Sequence, residues 1–236
     1  MNYYWNKGHF ESLLEIAQGI ESVEYLAHYR EYLLLREKGL RKQALESLRL
    51  FITQMKNADF DTQKKFTNWI LHIDWTNRSV HSLLPHPLFE GIIKPCLQKW
   101  KMEEPGDPAP YRWAGIFLWE QDSLEKACAM DRDEQIARQA MVHRAIEDIR
   151  FDAHHLPYCY LGDPQESLAL GRRAKRIMDE LQDPDIRKRF EKILTLEMQL
   201  IEDWCEFKKS GEEDFNKWCV NLGRNYHWIK AYYYDP

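Results

Sequence analysis

Apolar residues recur every three or four positions along most of the chain, the spacing that places them on one face of an α-helix. In the first third this spacing predicts four helices, which carry the apolar sets Phe10 to Ala17, Val23 to Leu34, Ala44 to Met55, and Phe66 to Ile73. The break at Gly39 between the second and third helices is short, so we expect those two helices to lie antiparallel. The pattern therefore predicts an all-α protein.

Helix-start signals divide the rest of the chain. Asp163 and Asp183 each precede a proline, and an aspartate N-cap followed by proline at the first helical position is a strong signal for a helix start. Asp61 with Thr62 is the cap expected for the fourth helix. Further helices are predicted over residues 88–101 (where Pro95 would limit or bend the helix), 111–119, 123–130 and 133–155, with a last one over 213–222. We expect about nine to ten helices in an irregular α-solenoid or stack of helical hairpins.

A proline-rich segment over residues 103–110 is the strongest candidate for a boundary within the chain. Each proline there restricts its own φ angle and the conformation of the residue before it. We expect a single all-α domain over residues 1–236. Within it, the segment would join two subdomains over residues 1–102 and 111–236.

Three short motifs resemble those of tetratricopeptide repeats. Gly39 is followed five positions later by Ala44, and Gly162 is followed at the same distance by Ser167. Residues 127–132 are similar to the Ala-Leu-x-x-Asp-Pro ending of a repeat, with Arg132 in place of the proline. The motifs are not separated by the regular repeat length of about 34 residues. The chain thus resembles a divergent tetratricopeptide-repeat protein, which implies stacked hairpins that hold another molecule; an unrelated helical bundle is the alternative.

The helix predicted over residues 133–155 carries two separate stripes that both suit contact with other protein. One is apolar throughout, whereas the other starts with small or apolar residues and ends in Asp148, Asp152 and His155. In tetratricopeptide arrays the first helix of each pair lines the concave face, so the resemblance implies a binding surface here. The predicted binding residues are Met141, Arg144, Asp148, Asp152, His154, His155 and Tyr158.

The same region allows a chemical interpretation. Asp148, Asp152 and His155 lie at positions i, i+4 and i+7, from which they could converge on a metal ion. Ordinary ion pairs with Arg144 or Arg150 explain the spacing as well. The chain has no Gly-x-Ser-x-Gly elbow and no glycine-rich phosphate loop. We therefore predict no catalytic residues, metal ligands or cofactor, and keep a metal-dependent hydrolase built on residues 148–155 as an alternative.

Charge and cysteine content narrow the class of protein further. The formal net charge is -5, and the short basic cluster over residues 172–176 is followed at once by Asp179 and Glu180. Nucleic acid is therefore not an expected partner. The five cysteines form no metal-finger spacing, and no apolar run approaches the roughly 18 residues of a membrane span. We expect a cytoplasmic protein that does not bind a membrane.

These patterns favour a non-catalytic protein-protein interaction module that binds a peptide or protein partner in a helical groove. An immunity-type protein that neutralises a toxin or an enzyme is a narrower alternative, since a small, mildly acidic and aromatic-rich chain suits the masking of a basic active site. The aromatic tail over residues 226–234 is expected to pack back onto the body of the protein.

Overall fold

The computed structural model describes residues 7–77, 80 and 82–228, and no β-strand occurs among them. The predicted all-α fold class is confirmed. Within the described ranges eleven helices have seven or more residues, so the predicted number of nine to ten is slightly low. Three shorter helical segments, Glu24–Leu26, His86–Leu88 and Phe89–Ile93, occur as well. No helix in the described part of the chain is long and apolar enough to cross a membrane.

The chain forms two compact units, Met1–Met130 and Asp131–Pro236. The proline-rich segment 103–110 lies inside the first unit, and the division falls in the connection between two later helices. That connection contains Asp131, whose carboxylate accepts a hydrogen bond from the backbone N–H of Asp133 at 2.8 Å. Whether the chain folds as one domain stays a prediction.

The helices of the first unit follow one another over short connections. They are α1 (Lys7–Gly19), α2 (Ala27–Glu37), α3 (Arg41–Lys56), α4 (Phe60–Thr76), α5 (His86–Leu88), α6 (Lys94–Glu103), α7 (Pro108–Phe117) and α8 (Gln121–Met130). The pairs α1 and α2, α2 and α3, α6 and α7, and α7 and α8 each pack against one another. Helical hairpins therefore build this unit.

Its core contains a cluster of buried aromatic rings. The Tyr29 ring centroid lies 5.2 Å from that of Phe51 and 5.4 Å from that of Phe66. The chain reverses between α2 and α3 at Gly39, which takes the left-handed conformation with φ 74°, and Ala44 on α3 is fully buried. The turn at Gly39 and the small side chain of Ala44 let the two helices approach closely.

Two helix starts differ from the prediction. Helix α4 is capped by Asp59, whose carboxylate accepts a hydrogen bond from the backbone N–H of Thr62 at 2.8 Å, so the expected cap at Asp61 is wrong. Helix α7 begins at Pro108, inside the segment expected to be a linker, and Asp107 caps it. A proline is compatible with the first helical turn because the N–H that it lacks would have no partner there.

The helix predicted over residues 88–101 is longer at both ends. It runs from α5 through a π-helical turn, Phe89–Ile93, into α6, where Pro95 occupies the first turn. The backbone N–H of Lys94 donates to the carbonyl of Phe89, one residue further back than in an α-helix. The wider turn accommodates a proline within a continuous helical segment.

The second unit contains α9 (Gln135–Ala153), α10 (Pro164–Asp179), α11 (Pro184–Ser210) and α12 (Phe215–Asn221). The first three pack against one another, and α12 packs against α11. The predicted caps of α10 and α11 are confirmed, since Asp163 accepts from the N–H of Gln165 and Asp183 accepts from those of Asp185 and Ile186. Each of these two helices also has proline in its first turn.

Two hydrophobic clusters form the core of this unit. One lies among α9, α10 and α11, around Val142, Ile146 and Ile149. The other lies near the end of α9 and joins α11 to α12, with Trp204 and Phe215 at ring centroids 5.1 Å apart. Tyr226 and Trp228 pack against this second cluster, which confirms the predicted packing for that part of the tail. Residues 229–234 lie outside the described residues.

Candidate functional site

A groove of about 700 Å³ opens on the second unit between the end of α9, the middle of α11 and the segment that follows α12. We call it the C-terminal groove. Its apolar lining consists of Ala153, Leu156, Leu196, Leu200, Tyr226 and Trp228. Its volume lies within the range of about 300–1,000 Å³ that is typical of ligand pockets.

Helix α11 supplies one wall through residues that share a face. Leu196, Leu200 and Asp203 are four and three residues apart, the spacing that aligns side chains along a helix. Leu200 is half-buried and Leu196 is 57% exposed, whereas Asp203 is only 1% exposed. Apolar groups thus border the groove on this face, and a carboxylate is buried one turn further along.

The buried Asp203 carboxylate holds the opposite wall in place. It accepts hydrogen bonds from the side-chain amide of Gln199 at 3.0 Å and from the hydroxyl of Tyr226. Arg224 Nε lies 3.2 Å from the Asp203 Oδ2 atom. Burial and the hydrogen bond to Asp203 raise the pKa of Tyr226, which therefore donates as a neutral phenol. These contacts satisfy a carboxylate whose burial without partners would be costly.

Aromatic contacts fix the last described residues of the chain. The Trp228 indole N–H donates to the side-chain oxygen of Asn216. Its ring lies 5.6 Å from the Phe215 ring and 5.5 Å from the Tyr226 ring, measured between centroids. The wall after α12 is therefore attached to α12 through Trp228 and to α11 through Tyr226.

Large apolar side chains are exposed along the groove and next to it. Leu196 lines the groove, and Phe151, on the outer face of α9, is 67% exposed. The Phe151 ring centroid lies 5.2 Å from that of His154, which also lines the groove, and the His154 Nδ1 atom contacts the Phe151 carbonyl oxygen. Phe151 therefore extends the apolar surface of the groove across His154.

Two arginines line the groove and differ in their pairing. Arg150 contacts Glu197 at 2.7 Å and Glu147 at 3.1 Å. Both contacts raise the pKa of Arg150, and the hydrogen bond to Glu197 has the larger effect. Arg224 contacts one carboxylate among the described residues, that of Asp203, through Nε; the side chains of Arg150 and Arg224 are similarly exposed, at 45% and 43%. Arg224 is therefore the cation with the greater capacity to bind a further acceptor.

Of the seven residues predicted to form a binding surface, His154 lines the groove. Met141 is 8% exposed and packs inside the unit. Arg144 is half-buried and Asp148 is exposed. Loss of solvent raises the pKa of the Asp148 carboxyl, Arg144 opposes this shift, and Asp152 and Glu147 add to it. Tyr158 is 85% exposed in the connection after α9, where its backbone N–H donates to the carbonyl of His155.

Asp152 has a packing role in the structure. Its carboxylate accepts a hydrogen bond from the hydroxyl of the buried Ser167 on α10 at 2.8 Å. Its backbone carbonyl accepts from the N–H of Leu161 at 2.9 Å, and its carboxylate lies against Gly162. Asp152 thus ties the connection between α9 and α10 to both helices.

Sequence reasoning missed Leu196, Asp203 and Arg224. A signal for Asp203 is present in the sequence, because it continues the helical face of Leu196 and Leu200, where a carboxylate requires buried partners. No comparable signal identifies Arg224. Its partner on α11 is 21 positions away and is brought to it only by the turn after α12.

The side chains of residues 148–155, all of which the structure describes, do not form a set of metal ligands. Among the described residues, no group of three or more histidine, cysteine, aspartate or glutamate side chains is arranged to hold a metal ion. All five cysteines are free thiols.

The chain matches no protein-family profile, no curated protein and no solved structure.

Proposed function

We propose that the protein is a non-catalytic interaction module that binds a peptide segment of a protein partner in the C-terminal groove. One observation carries this proposal: exposed apolar side chains border a groove whose walls are already held by a buried polar network. Leu196 is 57% exposed, whereas Asp203 behind it is 1% exposed and accepts hydrogen bonds from two side chains.

Covering the exposed apolar surface of the groove favours the binding of a partner. Covering apolar surface contributes about 25 cal/mol per Å² removed from water, and Leu196 and Phe151 have such surface to lose. Binding also costs the ordering of groups that are mobile before the partner arrives. The contacts of Tyr226 and Trp228 reduce this cost because they hold the wall before binding. Tryptophan and tyrosine are also the side chains most enriched at the energetic centres of interfaces.

The hairpin organisation supports the same function. Helical hairpins that pack on their neighbours in sequence present grooves between helices, and such grooves bind peptides or helices. The repeat-like motifs at Gly39 and Gly162 lie at hairpin turns. We retain the relationship to tetratricopeptide repeats as part of the proposal.

The test uses the full chain and a displayed library of random peptides of about twelve residues. Leu196→Asp places a charge on the apolar rim, and Leu50→Asp on α3 is the matched control, since the two leucines are 57% and 55% exposed. We expect peptides selected on the wild-type protein to bind Leu50→Asp equally well and to lose at least tenfold in affinity for Leu196→Asp. Equal binding by all three proteins, or failure to select any peptide, would contradict the proposal.

A further inference from the structure

We infer that the partner segment carries a carboxylate beside a large apolar side chain, and that Arg224 binds this carboxylate. The inference rests on the proposed function and adds the chemical class of the partner. It depends on the pairing of Arg224, on the contrast with Arg150, and on the apolar groups that share the groove with both.

The pairing of Arg224 leaves donors available. Its Nε atom lies 3.2 Å from Asp203 Oδ2, and this is the carboxylate contact that Arg224 makes within the described part of the chain. Guanidinium has five N–H donors in a planar fork, so a contact through Nε leaves the outer nitrogens with hydrogens to donate. Because 43% of the side chain is exposed, these donors are accessible to a second acceptor.

Asp203 is shared by Arg224 with two other donors. It is 1% exposed, and the Gln199 amide and the Tyr226 hydroxyl already donate to it. Two neutral donors therefore share with Arg224 the stabilisation of this carboxylate. The Asp203 charge still balances that of Arg224, so Arg224 binds a second carboxylate through its remaining N–H donors.

Arg150, the other arginine of the groove, is in the opposite situation. Its Nε contacts Glu197 at 2.7 Å and its Nη1 contacts Glu147 at 3.1 Å, so two carboxylates balance one guanidinium. A carboxylate that approached Arg150 would meet these two negative charges. Charge complementarity within the groove therefore favours the Arg224 side for an acidic group.

The same groove supplies the apolar half of the recognition. Leu196, Leu200 and Trp228 line it together with Arg224. A leucine or phenylalanine side chain of a partner can cover them while a neighbouring carboxylate meets the guanidinium. The carboxylate belongs to an aspartate or glutamate side chain next to that apolar residue, and the guanidinium fork suits its two oxygens.

The experiment uses fluorescein-labelled octapeptides with a central Leu-Asp, Leu-Asn, Phe-Asp or Phe-Asn pair between glycine and serine residues. Each sequence is made with an amidated and with a free C-terminus. Fluorescence anisotropy measures binding to the full chain. We expect the Asp peptides to bind about tenfold more tightly than the Asn peptides, which corresponds to one charge-assisted hydrogen bond. Tighter binding of only the free C-terminal forms would assign the carboxylate to a chain end and overturn the inference.

Variants separate charge from positioning. Arg224→Gln should remove the preference for Asp over Asn, and Arg224→Lys should retain part of it. Arg172→Gln on α10 is the matched control, because it removes an exposed arginine that does not line the groove and changes the net charge of the protein by the same amount. It should retain the full preference. Loss of the preference in Arg172→Gln as well would show that the overall charge of the protein, and not the charge at position 224, sets it, and would overturn the inference.

The outcomes distinguish the two proposals. If Leu196→Asp abolishes binding while Asp and Asn peptides bind the wild-type protein equally, the interaction module stands and the carboxylate inference fails. If no octapeptide binds and the displayed library also yields no peptide sensitive to Leu196→Asp, the interaction module itself fails. If the protein instead dimerises through the groove, sedimentation will detect a concentration-dependent dimer that Leu196→Asp dissociates, and a second copy replaces the acidic partner.

Discussion

The hydroxyl of Tyr226 donates a hydrogen bond to the buried carboxylate of Asp203, and this contact joins the segment after α12 to the middle of α11. The two residues are 23 positions apart in the sequence. Arg224 and Gln199 contact the same carboxylate, so one buried charge organises one wall of the C-terminal groove.

Removal of the Asp203 carboxylate should destabilise the second unit. In Asp203→Ala the Gln199 and Tyr226 donors lose a charged acceptor, and we expect a loss of about 2–4 kcal/mol in the free energy of unfolding. Tyr226→Phe should cost about 1 kcal/mol. Because both changes remove the same contact, Tyr226→Phe should cost almost nothing in the Asp203→Ala background. Urea unfolding followed by tryptophan fluorescence measures all four proteins.

The control for this cycle is Tyr158→Phe. Tyr158 is 85% exposed, so the loss of its hydroxyl should change stability by less than about 0.5 kcal/mol. Additive costs for Asp203→Ala and Tyr226→Phe would show that the hydrogen bond does not couple the two residues.

A side chain at position 162 should disturb the packing of Asp152. A Cβ atom on Gly162 would lie 2.6 Å from the Asp152 carboxylate, which would have to move away from Ser167. Gly162→Ala should therefore cost about 1–3 kcal/mol, the range for overpacking. Gly106→Ala is the control, because nothing lies within 4 Å of the added atom. In an Asp152→Ala background the cost of Gly162→Ala should largely disappear, and a persistent cost in thermal unfolding would refute this explanation.

The backbone at Trp119 is strained. This residue has φ 61°, in the left-handed region, and its side chain is 77% exposed. A Cβ atom costs about 1–2 kcal/mol in that conformation, and glycine does not have one. Trp119→Gly should therefore be more stable than Trp119→Ala by about 1 kcal/mol. Both variants lose the indole, so the comparison isolates the backbone. Chemical unfolding that ranks alanine above glycine would contradict the assignment.

Alkaline pH should reveal the burial of Tyr32. Burial raises the pKa of Tyr32 to about 12, and Arg36 opposes the shift; an unfolded tyrosine has a pKa of about 10. Below pH 10 the residue is protonated in both states and its stabilising contribution is complete. As the pH rises from 10 to 12, only the unfolded state loses the proton, so the free energy of unfolding falls by up to about 1.4 kcal/mol per pH unit for this group.

Tyr32→Phe measures the size of this effect. The variant loses the hydrogen bond that the Tyr32 hydroxyl donates to the Ser82 carbonyl at 2.6 Å, so it should be less stable at neutral pH. Its stability should then decline less steeply between pH 10 and pH 12. Absorbance at 295 nm should show one fewer late-titrating phenol in the folded variant. Parallel stability curves for the two proteins would contradict the burial effect.

Helix ends were predictable wherever the signal is local. Asp163 and Asp183 cap their helices through their own side chains, and the contacts span two or three residues. The error at Asp61 has a local cause as well. Two aspartates precede Thr62, and only the one three positions before it has the geometry to accept from its N–H.

The candidate site was less predictable. The sequence pattern of α9 indicates correctly that both of its stripes meet other protein, since residues such as Ala137, Met141, Val142 and Ile149 are buried. It does not indicate which neighbour each polar end meets. Asp152 contacts Ser167 on α10, whereas His154 lies at the groove that α11 borders, and both helices reach α9 only through the tertiary fold.

The sequence by itself determined the helical class, most helix ends and the burial of the stripes, because these depend on residues within one or two turns of each other. Only the tertiary structure decided that Leu196, Asp203, Arg224 and Tyr226 belong to one site. Their association requires the chain to reverse after α11 and again after α12. These reversals bring the four residues together, although their positions in the sequence do not indicate that they are in contact. The contacts contribute energy only after the helices have packed.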